Sequence, residues 1–141
     1  MVKRGGKISA AIISPRLSRG IFNYTIVNCA DNSGVSLGKV INVFDVKTRR
    51  RRIPGAAVGD MVKISVVKGK PELVGQLMNA VVIRQRKPYR RMDGTWISFE
   101  DNAIIILTPE GDVKGTEIYG PVAKEAVERW PKIASIATII I

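Results

Sequence analysis

The chain contains no histidine. A Ser–His–acid triad, a Cys–His dyad and a histidine metal site are therefore excluded within it. It has a single cysteine, Cys29, so it holds no internal disulfide framework. That usage fits a reducing compartment, and Cys29 reads as a small buried hydrophobe rather than a nucleophile. Acid is scarce, with 12 Asp and Glu against 23 Lys and Arg. Only Glu100 and Asp101 are adjacent. Neighbours in a strand point to opposite faces, which makes that pair a poor carboxylate dyad. The Gly-Lys pairs at Gly6, Gly38 and Gly69 are not followed by Ser or Thr, so no Walker motif exists. No apolar run approaches the roughly 20 residues of a membrane span. Ile8 to Ile13 is too short for a signal-peptide core and is soon followed by Pro15. No catalytic residue, metal site or cofactor motif is found, and the chain reads as a non-enzyme.

What is abundant is positive charge. The net charge is +11 and the pI about 10.2 over 141 residues. That length suits one domain with a real core. A domain this basic carries the electrostatic footprint of a nucleic-acid binder. The alternatives are a solvated surface that aids solubility, or a face resting on anionic lipid. The charge gathers in three places. Residues 1–22 hold Lys3, Arg4, Lys7, Arg16 and Arg19 and no acid. Broken by Gly5-Gly6 and Ser14-Pro15, they read as an extended basic arm lying along phosphates, or as a frayed terminus. Lys47-Thr48-Arg49-Arg50-Arg51-Arg52 gives five basic residues in six, between two strand patterns. It reads as a loop on a folded scaffold, and its guanidinium forks match phosphate.

The third place, Asn79 to Asn102, organises the rest. Ala80-Val81-Val82-Ile83 is an apolar, β-branched strand pattern. Arg84, Arg86, Lys87, Arg90 and Arg91 then place five basic residues in eight. Asp93-Gly94 is a hairpin signal, and Thr95 to Phe99 brings the chain back. The pattern predicts a β-ribbon coated with positive charge and anchored in a core.

Other strands are expected at Tyr24–Cys29, Leu37–Val46, Met61–Val67, Ala103–Leu107 and Lys114–Tyr119. Met61–Val67 alternates cleanly, as a half-buried strand does. Asp31-Asn32-Ser33-Gly34 reads as a turn rather than a catalytic pair. Gly120-Pro121 reads as a helix start, with Val122 to Trp130 at helical spacing. Ile133, Ile136, Ala137 and Ile140 repeat the pattern after Pro131. The expected fold is mainly β: a small antiparallel barrel or sandwich of five or more short strands, with a protruding ribbon and two short C-terminal helices. The expected organisation is a basic arm over 1–22, a barrel with ribbon over 23–119, and helices packed on the barrel over 120–141. The apolar stripe of those helices reads as core, or as a docking face for a protein partner.

Several blocks together carry a resemblance. Ala80-Val81-Val82-Ile83, Asp93-Gly94, Phe99 and Asn102, at their spacing, closely resemble the signature of the universal large-subunit ribosomal protein family number fourteen. Cys29-Ala30-Asp31-Asn32-Ser33-Gly34, Val58-Gly59-Asp60 and Gly120-Pro121-Val122-Ala123-Lys124-Glu125 resemble further blocks of that family. Lys68 to Leu73, Arg84 to Lys87 and Trp130-Pro131 look like its archaeal and eukaryotic branch. Ile105 stands where the family usually has valine, which keeps a β-branched strand residue. The resemblance covers roughly residues 24–141. It implies a five-stranded barrel in a structural, cytoplasmic constituent of the large ribosomal subunit that binds large-subunit rRNA. Implied partners are small-subunit rRNA at an intersubunit bridge, neighbouring ribosomal proteins and an anti-association initiation factor. Val127, Trp130, Ile133 and Ile136 on the C-terminal helices are the expected docking face for that factor.

The expected mechanism is electrostatic and geometric. The arm, the Lys47–Arg52 loop and the ribbon supply phosphate contacts, while Tyr89 stacks on an unpaired base or stays without a base partner at the ribbon tip. A free single-strand binder would need aromatic platforms across a sheet, and the eight Phe, Tyr and Trp form no periodic face. A basic nuclease lacks the His, metal cluster or paired acids it would use.

Overall fold

The computed structural model describes residues 17–44 and 48–141. Along the chain lie β1 (Ile21–Phe22), β2 (Ile26–Cys29), β3 (Val35–Val43), β4 (Gly55–Ala56), β5 (Met61–Gly69) and β6 (Leu77–Arg84). They are followed by β7 (Tyr89–Arg90), β8 (Trp96–Ile97), β9 (Ala103–Leu107), β10 (Pro121–Val122), α1 (Lys124–Arg129), α2 (Pro131–Ala134) and β11 (Ile139–Ile140). Five strands close a barrel in the order β2-β3-β5-β6-β9. Every neighbouring pair is antiparallel except β2 with β9, which closes the ring in parallel. Closure removes the sheet edges that would otherwise need covering.

The strands form where the side-chain pattern asks for them. In β5, Val62, Ile64 and Val66 point into the barrel while Lys63 and Ser65 are part-exposed. All five residues of β9 are buried, so this strand is the centre of the core. Each buried Ile or Val contributes about 1.5–3 kcal/mol relative to exposure. β7 and β8 form the ribbon, pairing Tyr89 with Ile97 and Arg90 with Trp96. Arg91 N–H donates to the Thr95 carbonyl at 2.8 Å and Gly94 N–H to the Arg91 carbonyl at 3.0 Å, which turns the chain where Asp93-Gly94 predicts it.

Four sequence expectations shift. Tyr24 is not in a strand: its φ is +69°. Lys114–Tyr119 forms no named strand, only the isolated bridge Asp31–Ile118, with a second bridge, Leu107–Val113, just before it. Side chains replace a ladder there, with Asn32 Oδ1 accepting from Thr116 N–H at 2.9 Å. Gly120-Pro121 does not open a helix, because Pro121 and Val122 pair in parallel with Ile139 and Ile140. α1 therefore begins at Lys124. The periodic stripe to Ile140 also stops early. After α2 one turn remains, with Ala137 N–H on the Ile133 carbonyl at 3.0 Å. The β-branched residues that follow then extend against β10.

Candidate nucleic-acid interface

Three basic segments distant in sequence meet around one buried amide. Gln85 is fully buried. Its Nε2 donates to the Ser18 carbonyl at 2.8 Å and the Lys87 carbonyl at 2.9 Å. Its Oε1 accepts from Val58 N–H at 3.2 Å. The amide thus ties the segment bearing Arg19, the return from the arginine loop and the root of the ribbon. Backbone bonds reinforce the junction, with Gly20 N–H on the Ala56 carbonyl at 3.2 Å. The approach is close: a Cβ on Gly20 would lie 2.7 Å from Lys87 Cβ. A buried amide with all these groups paired rigidifies its surroundings. Nothing in the composition marks Gln85 as important; its only signal is a polar residue continuing a buried strand pattern.

Around this junction the basic side chains divide. Arg19, Arg49, Arg50, Arg51, Arg52, Arg86, Lys87 and Arg90 are exposed. Among the described residues none of these eight makes an ion pair. Lys3, Arg4, Lys7, Arg16 and Lys47 lie outside the described residues. The arginine loop makes its own turn, with Arg52 N–H on the Arg49 carbonyl at 3.1 Å and Arg51 at φ +68°. Eight exposed cations without an ion pair among the described residues make an anion-attracting surface.

Three residues expected to face RNA face the protein instead. Arg84 is buried. Its Nε and Nη2 donate to Asp101 at 3.0 and 3.2 Å, and its Nη1 to the carbonyls of Tyr119 and Pro121 at 2.8 and 2.9 Å. The fork leaves no room at Gly120, where a Cβ would lie 2.7 Å from Nη1 and φ is +77°. Burial alone would raise the Asp101 carboxyl; hydrogen bonds from Arg84 and Asn28, with the charge of Arg84, outweigh it and hold the group below the usual carboxylate range. Tyr89 is fully buried, its hydroxyl donating to Glu125 at 2.8 Å. Burial, then Glu125, pushes its phenol well above the ordinary value. Its ring lies in the core rather than at the ribbon surface. Arg91 Nε donates to Glu125 at 2.7 Å and Nη2 to Ile141 O at 2.7 Å. It fastens the ribbon to the C-terminal segment. The exposed aromatic of the ribbon is Trp96, 63% exposed and opposite Arg90.

The C-terminal stripe is also redirected. Ile133 is fully buried in the core, and Val127, Trp130 and Ile136 are half-buried against it. Trp130 Nε1 donates to the Gly59 carbonyl at 2.9 Å, so its polar edge is spent on the barrel. The apolar side chains left exposed here are Tyr119, Ile139, Ile140 and Ile141.

The rest of the polar chemistry is structural. Asp31 Oδ1 accepts from Ser33 Oγ at 2.5 Å and Cys29 Sγ at 3.0 Å, and Oδ2 accepts from Ile106 N–H at 2.8 Å. Burial, then Asp31, pushes the Cys29 thiol up to about 12, so it is not a nucleophile at neutral pH. Among the described residues no group of three or more His, Cys, Asp or Glu can hold a metal ion.

The family model for ribosomal protein L14p/L23e matches residues 20–141. The chain belongs to this family. Within it, the large ribosomal subunit protein uL14 of Thermofilum pendens is 58% identical over 141 residues, covering 100% of both chains. That of Caldivirga maquilingensis is 56% identical over 144 residues, again covering 100% of each. That of Metallosphaera sedula is 57% identical over 125 residues, covering 89% of this chain and 91% of its own. The family match begins at Gly20, so Gln85, the arginine loop and the ribbon fall inside it, while the Ser18–Arg19 side of the junction precedes it.

Proposed function

We propose that this chain binds large-subunit rRNA through the basic face gathered around Gln85. The coarser statement follows from the family: the chain is a structural protein of the large ribosomal subunit, hence cytoplasmic, and not an enzyme. The single observation that carries the finer one is the set of eight cations that are exposed and, among the described residues, make no ion pair, on segments held together by one buried amide. Arg19, Arg49 to Arg52, Arg86, Lys87 and Arg90 contact phosphates, and the basic residues of 1–16 and Lys47 extend that contact. Arg84 and Arg91 set the geometry of the face. Binding of this kind reads shape and backbone more than sequence.

Part of the face reaches small-subunit rRNA when the subunits join. The ribbon is the proposed element, because Arg90, Met92 and Trp96 are exposed and stand outside the barrel wall. The protein-docking surface for an anti-association factor lies on Tyr119 and Ile139 to Ile141 rather than on Ile133, since these are the exposed apolar groups at that end.

Sedimentation of cell lysate through a sucrose gradient at low and high salt tests the assignment. The chain should travel with the large subunit and resist a moderate salt wash. Recovery at the top of the gradient would leave a free RNA binder instead.

A further inference from the structure

Tyr24 adopts a conformation that a bulky side chain avoids. At φ +69° it sits in the left-handed region, where residues other than Gly, Asn and Asp rarely stay. The turn is fixed from several sides. Tyr24 N–H donates to the Val40 carbonyl at 2.6 Å, Thr25 N–H to the Phe22 carbonyl at 3.2 Å, and Val40 N–H to the Thr25 carbonyl at 2.9 Å. Its neighbour Asn23 has a buried Oδ1 without a hydrogen-bond donor among the described residues. The positive φ is a backbone cost to this turn. The Tyr24 side chain is 71% exposed, so the turn gains almost no burial from it. Strain of this kind marks places held for function.

The surroundings indicate what the ring receives. Lys39 Nζ stands over the ring, 5.3 Å from its centroid, while the side chain as a whole stays largely exposed. Phe22 and Ile26, on either side in sequence, are exposed. The arginine loop departs from β3, the strand that fixes Tyr24, and returns at β4, which pairs with β1 two residues before Tyr24. No acid occurs from residue 1 to residue 30. An exposed aromatic ring with a lysine over it, on the turn that follows the strand pair where the arginine loop returns, matches a nucleotide: base on ring, phosphate on cations.

We infer that Tyr24 is a stacking platform for an unpaired nucleobase of large-subunit rRNA, with Lys39 holding the ring and reaching the adjoining phosphate. This rests on the rRNA-binding reading above and adds a base contact to a face otherwise built of phosphate contacts. The left-handed turn aims the ring outward; an extended residue at this position would continue β2.

Glycine separates function from structure here. Tyr24→Gly removes the ring and relieves the backbone strain, so its denaturation midpoint should equal or exceed that of the native chain. Its affinity for in vitro transcribed large-subunit rRNA, measured by filter retention, should fall about 5- to 150-fold. Tyr24→Phe keeps the stack and should bind like the native chain. In isolated large subunits, ultraviolet irradiation should cross-link Tyr24 to a base. Native affinity in Tyr24→Gly overturns the inference. So does a cross-link from Tyr24 to a neighbouring protein, which would make this turn a protein contact. A variant with Arg49 to Arg52 all changed to Gln tells the two readings apart. If it is weakened while Tyr24→Gly is not, only the stacking inference fails. If it too binds like the native chain, the rRNA-binding reading fails with it.

Discussion

The arginine loop and the root of the ribbon look alike in sequence and are used in opposite ways. Each is a run of four or five cations without an acid between them. In the loop, Arg49 to Arg52 are all exposed and none is ion-paired among the described residues. In the ribbon, Arg84 and Arg91 are drawn inward by Asp101 and Glu125, acids 17 and 34 residues away. Arg86, Lys87 and Arg90 stay outside. The density of charge along a chain therefore does not say which charges are free. That depends on where the few acids fall in space, and here two of twelve acids convert two apparent RNA contacts into fasteners.

The contrast can be broken one residue at a time. The largest effect is expected for Arg84→Met, which strands Asp101 and two carbonyls. Breaking a buried pair costs about 3–5 kcal/mol, and the part-exposed Asp101 puts this one near 3 kcal/mol in urea unfolding. Gln85→Leu should follow at about 2 kcal/mol, because Val58 N–H and two carbonyls lose their partner in the interior. A pH series sharpens the same point. A carboxyl held below its ordinary value adds stability above that value and loses it as pH falls through the depressed one. Native stability should therefore drop on acidification below the 3.8 of an unperturbed aspartate, and Asp101→Asn should flatten that part of the curve. The smallest effect on folding belongs to Arg50→Ala, within about 0.5 kcal/mol of native, since an exposed loop arginine holds nothing together.

Much of the barrel was readable because its signals are local. Met61–Val67 alternates and Ala103–Leu107 is uniformly apolar, and both lie inside strands. Asp93-Gly94 marks a turn by its own chemistry. What stayed hidden depends on distant partners. Tyr89 is a ribbon residue by spacing, yet its ring fills the core and its hydroxyl meets Glu125, 36 residues on. Pro121 and Val122 read as a helix start until Ile139 and Ile140 arrive to pair with them. Tyr24 reads as the first residue of a strand by pattern, but its positive φ and the Thr25 N–H to Phe22 carbonyl bond place it in a turn.

The most direct test compares the salt dependence of large-subunit rRNA binding between the two regions. For phosphate contacts, log K falls linearly with log salt, by about 0.9 per contact on duplex and 0.7 on single strands. Changing Arg49 to Arg52 to Gln together should flatten the slope by about 3–4 without moving the unfolding midpoint. Arg91→Met should leave the slope unchanged and lower stability instead. The account is contradicted if the loop variant keeps the native slope while the Arg91 variant loses part of it.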